Sequence, residues 1–452
     1  MQNRRKFLKI LAANLSALLF GLRMETKGQG LKAANRKKEV KLYRALNGNP
    51  AGNISKIVEM MGGIQEIAGV DDVVVIKPNV QWWNQGAPNL LALKTFVDMI
   101  MDRPGGFSGE VIIAENCHRG PTPWQSEGSG WRPIFERNSD LLEIQNYNEL
   151  TTDLKRRHNR RYSTCHWINA KAGGRRIFGP ADGTGYVYCD GTGGVPKLVF
   201  SNGLSDGNRR ETIMTYPVFQ TDRGTIVDLK NGIWVKGTYT GQPLKFVNFA
   251  ALNHHSTYCG MTSTIKNYLG VSDLSGGPDP HNDGRLTETY YNFHSFPFDK
   301  WAPGPKPGMI GAEIGVYLST VRKADLNIVT AEWVGLASRT DLPAARTRAV
   351  MACIDPVALD FHSAKYVLHP NSGIRFHNPE NPESPTYQYL KACAEHGGGI
   401  FDEGKVAVES FDMQAGRLQP DDDLVVMGDR QLGTDPEAIL KFLLFRYGSA
   451  FL

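Results

Sequence analysis

Apolar positions along the chain form short uninterrupted runs and longer stretches with helical spacing. The runs Val73–Ile76, Val111–Ala114 and Phe246–Leu252 are apolar at every position, which is typical of strands buried on both faces of a sheet. Between the first two runs, residues 90–101 place their apolar side chains on one helix face. Strands and helices that alternate with short connections predict an α/β fold, with a mostly parallel sheet flanked by helices.

The same patterns predict further elements on both sides of these runs. Strands are expected at Val40–Leu46, Asp325–Val329, Arg348–Ile354 and Leu424–Met427. Helices are expected at Ile54–Met61, Ile310–Val321, Pro356–Ser363, Thr386–Glu395 and Pro436–Tyr447. Asn53 is the expected N-cap of the first of these helices. We therefore assign residues 35–123 to the first part of the α/β domain. Residues 246–452 form its second part, which ends in C-terminal helices.

Residues 124–245 break this rhythm. They contain glycine-rich pieces, as at residues 182–185 and 191–194, and short β-prone runs such as Gly232–Val235. Short strands separated by turns predict an antiparallel β-rich insertion or subdomain. Long insertions in such folds are usually carried on loops, so we expect this one to cover or flank an edge of the main sheet.

The composition is that of an ordinary globular protein, but the positive charge is concentrated in the N-terminal segment. The 452 residues are 41% hydrophobic and 21% charged, with a formal net charge of +5. Residues 1–34 carry seven Lys and Arg against one acidic residue, a net of +6, which leaves −1 for the remainder. A nearly neutral body gives no electrostatic reason to expect a nucleic-acid partner.

The basic N-terminus is followed by a short apolar segment. Arg4 and Arg5 lie in the sequence Asn-Arg-Arg-Lys-Phe-Leu-Lys, and Ile10–Leu22 forms a 13-residue apolar stretch softened by Asn14 and Ser16. This segment is too short and too polar to span a bilayer, and no other stretch predicts a transmembrane span in the mature chain. Residues 1–34 resemble a twin-arginine signal peptide, and the alternative is a basic amphipathic helix. The resemblance implies that the twin-arginine export machinery is a partner and that the protein is periplasmic or otherwise exported.

Chemically active side chains cluster directly after the apolar run Phe246–Leu252. His254 and His255 follow that run, and Cys259, Lys266 and Asn267 lie within the next 13 positions. The carboxyl ends of strands in an open α/β sheet are where such folds bind their ligands. We therefore predict a site for a small-molecule ligand at this end of the sheet.

Three other strands also end in polar or charged residues. Lys77 and Asn79 follow the first apolar run, Glu115 ends the second, and Asp355 ends a late strand, with Asp360 on the helix after it. If these strands are parallel, the ends at Lys77, Glu115, Asn253 and Asp355 share one edge. Imidazole and carboxylate groups suit a divalent transition metal, whereas lysine and asparagine suit an anionic substrate group.

Four motifs in this order resemble the domain-of-unknown-function family 362. They are Val75–Asn79, Val111–Asn116, Asn248–Gly270 with its His255, Lys266 and Asn267, and Asp355–Asp360. The chain departs from the family at Asn253, where lysine is usual, and near Gly335, where Gly-Gly-Pro is usual. Because the family has no settled activity, the resemblance implies the fold rather than the reaction. Many relatives also carry a ferredoxin-like domain, but this chain has no CxxC and therefore no iron–sulfur cluster motif.

These observations assign roles to particular residues. The predicted catalytic residues are His254, His255, Lys266 and Asp360, and His254 and His255 are also the predicted metal ligands. The predicted substrate-binding residues are Lys77, Asn79, Glu115, Asn267 and Asp355. An imidazole would act as metal ligand or general base, because its usual pKa lies near neutral pH. Lys266 would hold an anionic group or anchor a cofactor covalently.

Two classes of function remain open at this point. The first is a metal- or cofactor-dependent enzyme that acts on a small anionic substrate, with the identity of any cofactor unknown. The second is a non-catalytic exported ligand-binding or redox accessory protein. The first class requires the side chains named above to converge in one closed pocket, whereas the second requires only an open ligand cleft.

Overall fold

The computed structural model describes residues 38–116, 131–167, 176–204, 209–274, 285–287, 289–297, 306–420 and 423–447. The predicted signal peptide, residues 1–34, lies outside the described residues. No helix within the described ranges is long and apolar enough to cross a membrane. Cys189, Cys259, Cys353 and Cys393 are buried free thiols.

Strands and helices alternate along the described chain. The helices are α1 (Pro50–Met60), α2 (Leu90–Met101), α3 (Tyr147–His158), α4 (Thr264–Asn267), α5 (Pro307–Thr320), α6 (Pro356–Ser363), α7 (His369–Ser372), α8 (Pro385–Glu395) and α9 (Pro436–Tyr447). The first strands are β1 (Val40–Leu46), β2 (Val73–Pro78), β3 (Glu110–Asn116), β4 (Tyr162–Trp167), β5 (Arg176–Ile177), β6 (Gly185–Tyr188), β7 (Val199–Ser201), β8 (Glu211–Ile213), β9 (Thr215–Gln220) and β10 (Ile226–Asp228). The others are β11 (Gly232–Val235), β12 (Thr238–Tyr239), β13 (Leu244–His254), β14 (Met261–Thr262), β15 (Tyr290–Tyr291), β16 (Leu326–Gly335), β17 (Ala344–Cys353), β18 (Val406–Asp412), β19 (Arg417–Leu418) and β20 (Asp429–Gln431).

The central sheet has the strand order β19-β18-β1-β17-β16-β13-β2-β3-β4, with β14 added to β13 and β20 added to β17. Strands β16, β13, β2, β3 and β4 run parallel to one another, and β1 runs parallel to β18. The predicted α/β fold, with a large and mostly parallel sheet flanked by helices, is confirmed at this level.

Helices cover both faces of this sheet, which explains the uninterrupted apolar runs in its central strands. Along β2, Val73 and Val75 belong to one hydrophobic core, whereas Val74 and Ile76 belong to the other. The first core also contains apolar residues of α5 and α8, and the second contains those of α1, α2 and α3. A strand that packs against helices on both faces has no solvent-exposed face, so its apolar run is uninterrupted.

The predicted β-rich insertion corresponds to two smaller sheets. One has the order β12-β11-β10-β9-β6-β5 and the other β15-β8-β7, and most of their pairs are antiparallel. Strand β4 also lies within residues 124–245, but it pairs in parallel with β3 and belongs to the central sheet. The change from helical to β-prone pattern therefore does not mark the boundary of the α/β unit.

One strand direction differs from the expectation, and it moves a predicted site residue. Strand β17 runs antiparallel to both β16 and β1. Asp355, which follows β17, therefore lies at the opposite edge of the sheet from the ends of β2, β3 and β13. It caps α6 there by accepting a hydrogen bond from the backbone N–H of Ala358 at 2.9 Å. The prediction that all four strand ends share one edge is wrong for Asp355.

Three local predictions also need correction. Helix α1 is capped by Asn49, which accepts from Gly52 at 2.7 Å, because Pro50 suits the first helical position better than an interior one. The segment 424–427 is irregular, and β20 follows it instead. Strand β16 extends to Gly335, six residues beyond its predicted end at Val329.

Helices α5 and α8 pack unusually closely against each other. A methyl group built on Gly311 would lie 1.9 Å from the carbonyl oxygen of Tyr389, and one on Gly315 would lie 2.5 Å from that of Cys393. Both distances are far below van der Waals contact, so only glycine fits at these positions. This contact holds α8 on the same face of the sheet as the candidate site.

Candidate functional site

A row of polar side chains crosses the buried centre of the sheet next to helix α4. Lys77 of β2, Asn248 of β13 and Asn327 of β16 are register partners, so they leave the same face of the sheet. Asn248 donates to Asn327 Oδ1 and to the carbonyl of Thr264, each at 2.9 Å. Asn267 of α4 donates to Asn248 Oδ1 at 2.7 Å and to the carbonyl of Lys77 at 2.8 Å. These bonds fix the short helix α4 to the sheet.

Lys77 and Glu115 form a buried ion pair at the ends of β2 and β3. Lys77 Nζ lies 2.6 Å from Glu115 Oε1, and it donates to Asn267 Oδ1 at 2.6 Å and to the Pro78 carbonyl at 2.9 Å. Glu115 Oε2 accepts from the backbone N–H of Val80 at 2.8 Å. Burial lowers the pKa of Lys77 and raises the pKa of Glu115, and the contact between the two opposes both shifts. Three acceptors around the ammonium group favour the ionised pair.

Asp360 of α6 holds the other end of α4. Its carboxylate accepts from the backbone N–H of Thr264 and of Ile265, each at 3.0 Å, and from the Thr264 hydroxyl at 2.6 Å. Burial raises the pKa of Asp360 to about 6, and these donors oppose the shift. Among the described residues, its oxygens therefore bond to α4, and they do not reach Lys266 or an imidazole. Asp360 positions the helix that carries Lys266.

The turn between β13 and β14 depends on one glycine. The N–H of His255 donates to the Gly260 carbonyl at 2.8 Å, and the N–H of Gly260 donates to the Ser256 carbonyl at 2.9 Å. Gly260 has φ +76°, and a side chain there would also lie 2.2 Å from Thr386 Oγ1. Glycine adopts this conformation without strain. The turn returns the chain to the edge of the sheet, where α4 begins.

A small pocket lies at the carboxyl edge of β2 and β3, beside α4. Its cavity of about 50 Å³ has room for a few water molecules or one small ionised group. We call it the Lys266 pocket. Five of the predicted site residues line it: Lys77, Asn79, Glu115, Lys266 and Asn267. Thr262, His294, Trp82 and Arg339 are among its other lining residues.

Lys266 brings an amine with a lowered pKa to this pocket. Its Nζ lies 5.4 Å from the centre of the Tyr258 ring. Burial lowers the pKa of Lys266 to about 8; Cys259 opposes this shift, and the cationic Arg339 and Lys77 add to it. No carboxylate of the described residues contributes to this balance. At pH 7 about a tenth of the amine is therefore unprotonated, a far larger fraction than for an ordinary lysine with a pKa of about 10.4.

Arg339 brings a second cation to the pocket from the loop between β16 and β17. Its guanidinium carbon lies 4.3 Å from the centre of the Trp82 ring, in cation–π contact. The neighbouring Thr340 carbonyl accepts from Asn84 Nδ2 and from Arg137 Nη2, each at 2.9 Å. Three basic side chains, Lys77, Lys266 and Arg339, line the pocket together with one carboxylate, that of Glu115. A lining of this composition suits an anionic group.

The two predicted catalytic histidines do not line the Lys266 pocket. They line an adjoining cavity of about 430 Å³, which shares Trp82 and Arg339 with it. His254 Nδ1 lies 2.9 Å from His377 Nε2, whereas His255 Nε2 lies 3.5 Å from Arg339 Nη1. Burial lowers the pKa of His254 to about 3 and the pKa of His255 well below its usual value. Both imidazoles are therefore neutral and bonded to different partners.

This geometry does not suit the predicted metal site. Zinc requires ligand atoms within about 2.0–2.3 Å of a common centre. The described residues contain no group of three or more His, Cys, Asp or Glu side chains that could hold a metal ion. The neighbouring thiol of Cys259 donates to the Met261 carbonyl at 3.0 Å, and burial raises its pKa to about 12, so it stays protonated. Among the described residues, His254 and His255 are therefore not joined by the further ligands that a divalent-metal centre needs.

The two predicted substrate-orienting asparagines use their polar atoms within the protein. Asn79 Oδ1 accepts from the backbone N–H of Ala251 at 2.8 Å, and its Nδ2 donates to the Gly86 carbonyl at 3.0 Å. Asn267 bonds to Lys77 and Asn248, as described above. Both therefore shape the wall of the pocket, and Lys266 and Arg339 are better placed to bind a ligand.

Arg339, Thr262 and His294 were not predicted as site residues. Arg339 could have been found from the sequence, because it lies in the loop that follows the end of β16 at Gly335, and Asn79 likewise follows the end of β2. The predicted strand stopped at Val329, so the polar residues after Gly335 were not recognised as strand-end residues. Thr262 Oγ1 has no hydrogen-bond partner among the described residues, a feature that only coordinates reveal.

Comparison of the chain with family models, curated proteins and solved structures finds no match. The features of the molecule that bear on function are therefore the Lys266 amine, the Arg339 guanidinium and the small volume of the pocket that both line.

The shifted pKa of Lys266 predicts an unusual labelling profile. Trace acetylation with acetic anhydride, followed by peptide mass spectrometry, should show the rate at Lys266 rising through about pH 8, because only the neutral amine reacts. The exposed Lys391 provides an internal reference for an ordinary surface amine. The groups acting on Lys266 are Arg339, Lys77 and Cys259, so the Arg339→Gln variant should raise its midpoint. A midpoint near 10 in the unmodified protein would contradict the assignment.

Proposed function

We propose that the protein is an enzyme that acts on a small anionic substrate bound in the Lys266 pocket. Arg339 holds the anionic group, and the unprotonated amine of Lys266 is the reacting group, as general base or nucleophile. One observation carries this proposal: a lysine with a lowered pKa, with no carboxylate acting on it among the described residues, lines a small cationic pocket. An unprotonated amine has a lone pair that can accept a proton or attack an electrophilic carbon.

Protection from labelling tests the binding part of this proposal. Acetate, and separately phosphate, should slow acetylation of Lys266 at about pH 8 without slowing acetylation of Lys391, because a bound anion covers the amine and raises its pKa. Arg339→Gln should weaken the protection, and the exposed Lys391→Gln provides a matched loss of one positive charge elsewhere. Equal protection of both lysines, or of neither, would count against the site.

The competing interpretation is a non-catalytic ligand-binding protein that uses the same pocket. Such a protein needs only positive charge at position 266, so Lys266→Arg should keep its affinity for anions. An enzyme that uses the amine should lose its reaction in Lys266→Arg even where binding survives, because the guanidinium stays protonated. For Lys266→Arg, both interpretations thus predict that anions still bind, and only the enzyme interpretation predicts that a reaction is lost.

We also propose that the chain is related to domain-of-unknown-function family 362. The segments that carry the resemblance contact one another around α4: Asn267 bonds to Lys77, and Asp360 bonds to Thr264. These contacts support a common site built from the motif segments.

Export through the twin-arginine pathway is a separate proposal, supported by the sequence of residues 1–34. Replacing Arg4 and Arg5 together with lysine should leave the protein in the cytoplasm, because the pathway distinguishes the arginine pair from other basic residues. Cell fractionation and immunoblotting measure the distribution, with Lys9→Arg as a variant that keeps the charge and the pair. Unchanged export of the double variant would reject the proposal.

A further inference from the structure

We propose that Lys266 forms an imine with the carbonyl group of a small 2-oxo acid, whose carboxylate is held by Arg339. The inference rests on the proposed function and names its substrate class. It assigns Lys266 as a nucleophile, and it places the carboxylate and the carbonyl of one molecule in a single small cavity.

The surroundings of Lys266 favour attack on a carbon over simple charge pairing. The charged groups that act on it are the cations Arg339 and Lys77, and Glu115 is bonded to Lys77 and to backbone N–H groups. A neighbouring cation and burial together increase the unprotonated fraction of a lysine amine, and the unprotonated amine is the form that attacks a carbonyl carbon. A lysine meant only to bind an anion gains nothing from losing its charge.

The walls of the pocket match the other groups of such a substrate. Arg339 presents a planar guanidinium, held against Trp82, which suits a carboxylate better than a point charge does. The Thr262 hydroxyl lines the same pocket and has no partner among the described residues. It is available to bond the oxygen of the carbonyl or of the adduct. The cavity of about 50 Å³ restricts the substrate to a short acid.

The step balances without an oxidant, a reductant or a metal. The lone pair of Lys266 Nζ forms a bond to the carbonyl carbon, and the carbon–oxygen π electrons move to oxygen, which takes a proton. The nitrogen then loses a proton, and the hydroxyl group leaves as water as the C=N bond forms. Protonation of the imine nitrogen gives an iminium that withdraws electrons from the neighbouring carbon atoms.

Trapping with a mild reductant tests the inference on the whole folded protein. The protein is incubated with pyruvate or glyoxylate and sodium cyanoborohydride at about pH 8, and the adduct is located by intact mass and peptide mapping. We expect one adduct per chain, at Lys266, formed in about tenfold greater yield from pyruvate than from acetone, which lacks the carboxylate. Arg339→Gln should remove this preference, and Lys266→Arg should remove the adduct.

Acetate separates failure of this inference from failure of the proposed function. If acetate protects Lys266 from acetylation but pyruvate gives no adduct, the imine is rejected and the anion site stands. If acetate does not protect Lys266 and no adduct forms, both are rejected. Adducts spread over exposed lysines, with Lys391 modified as much as Lys266, also overturn the imine assignment.

Discussion

Replacing Lys77 with methionine is expected to cost about 3–5 kcal/mol of unfolding free energy, because the substitution leaves the Glu115 carboxylate buried without its counter-ion. Lys77 and Glu115 have side-chain exposures of only 2% and 6%. Water therefore cannot replace the lost partner. The Asn267 side chain also loses the ammonium group that it accepts from, which loosens α4 at the residue next to Lys266.

The stability of the same variant should also depend more strongly on the ionisation of Glu115. Burial raises the pKa of Glu115, and Lys77 opposes that shift, so removing Lys77 raises the pKa further. Between the unfolded and folded pKa values the native state then binds more protons than the unfolded state, so stability falls as pH rises through this window. We expect Lys77→Met to be more stable at about pH 5 than at about pH 8, relative to the unmodified protein.

Urea unfolding of a double-mutant cycle measures the pair directly. Glu115→Gln alone should also be costly, because it leaves the Lys77 ammonium group without its carboxylate. The double variant Lys77→Met/Glu115→Gln should be more stable than the sum of the single effects predicts, since it leaves no unpaired buried charge. Simple additivity of the two changes would show that the ion pair is not the source of the loss.

Replacing Gly311 with alanine should destabilise the protein by about 2–3 kcal/mol, although alanine favours helices by about 1 kcal/mol over glycine. The added methyl group would lie 1.9 Å from the Tyr389 carbonyl oxygen, which is backbone and cannot rotate away. Helices α5 and α8 must therefore separate, at the cost of packing along the whole contact.

Gly308 provides the matched control for this prediction, because it lies in the same helix. A methyl group there meets nothing closer than 3.9 Å. Gly308→Ala should therefore leave stability unchanged or raise it by up to about 1 kcal/mol, following helix propensity alone. Thermal and urea unfolding of the two variants compare them directly. A similar change in stability at both positions would mean that Gly311 is not required for the close approach of α5 and α8.

Much of the site could be predicted, because residues close together in the sequence determine the strands and the short helix that form it. Uninterrupted apolar runs identify β2, β3 and β13, and the polar residues Lys77 and Glu115 lie at the ends of the first two. Lys266 lies on the short helix predicted after the third run, and it lines the same pocket. These inferences use only residues close in sequence and the rule that parallel strands share a carboxyl edge. The same rule failed for Asp355, since strand direction depends on which strand lies alongside.

The sequence by itself determined the fold class, the strand ends that meet at the pocket and the short helix after them that carries Lys266. Only the tertiary structure decided which polar side chains line the pocket. It directs His254 toward His377, commits Asn79 and Asp360 to structural bonds, and brings Arg339 across from a distant loop. The physical reason is that periodicity reports burial along one element. Hydrogen-bond partners and charge neighbours are set by long-range pairing of strands, which no local pattern encodes.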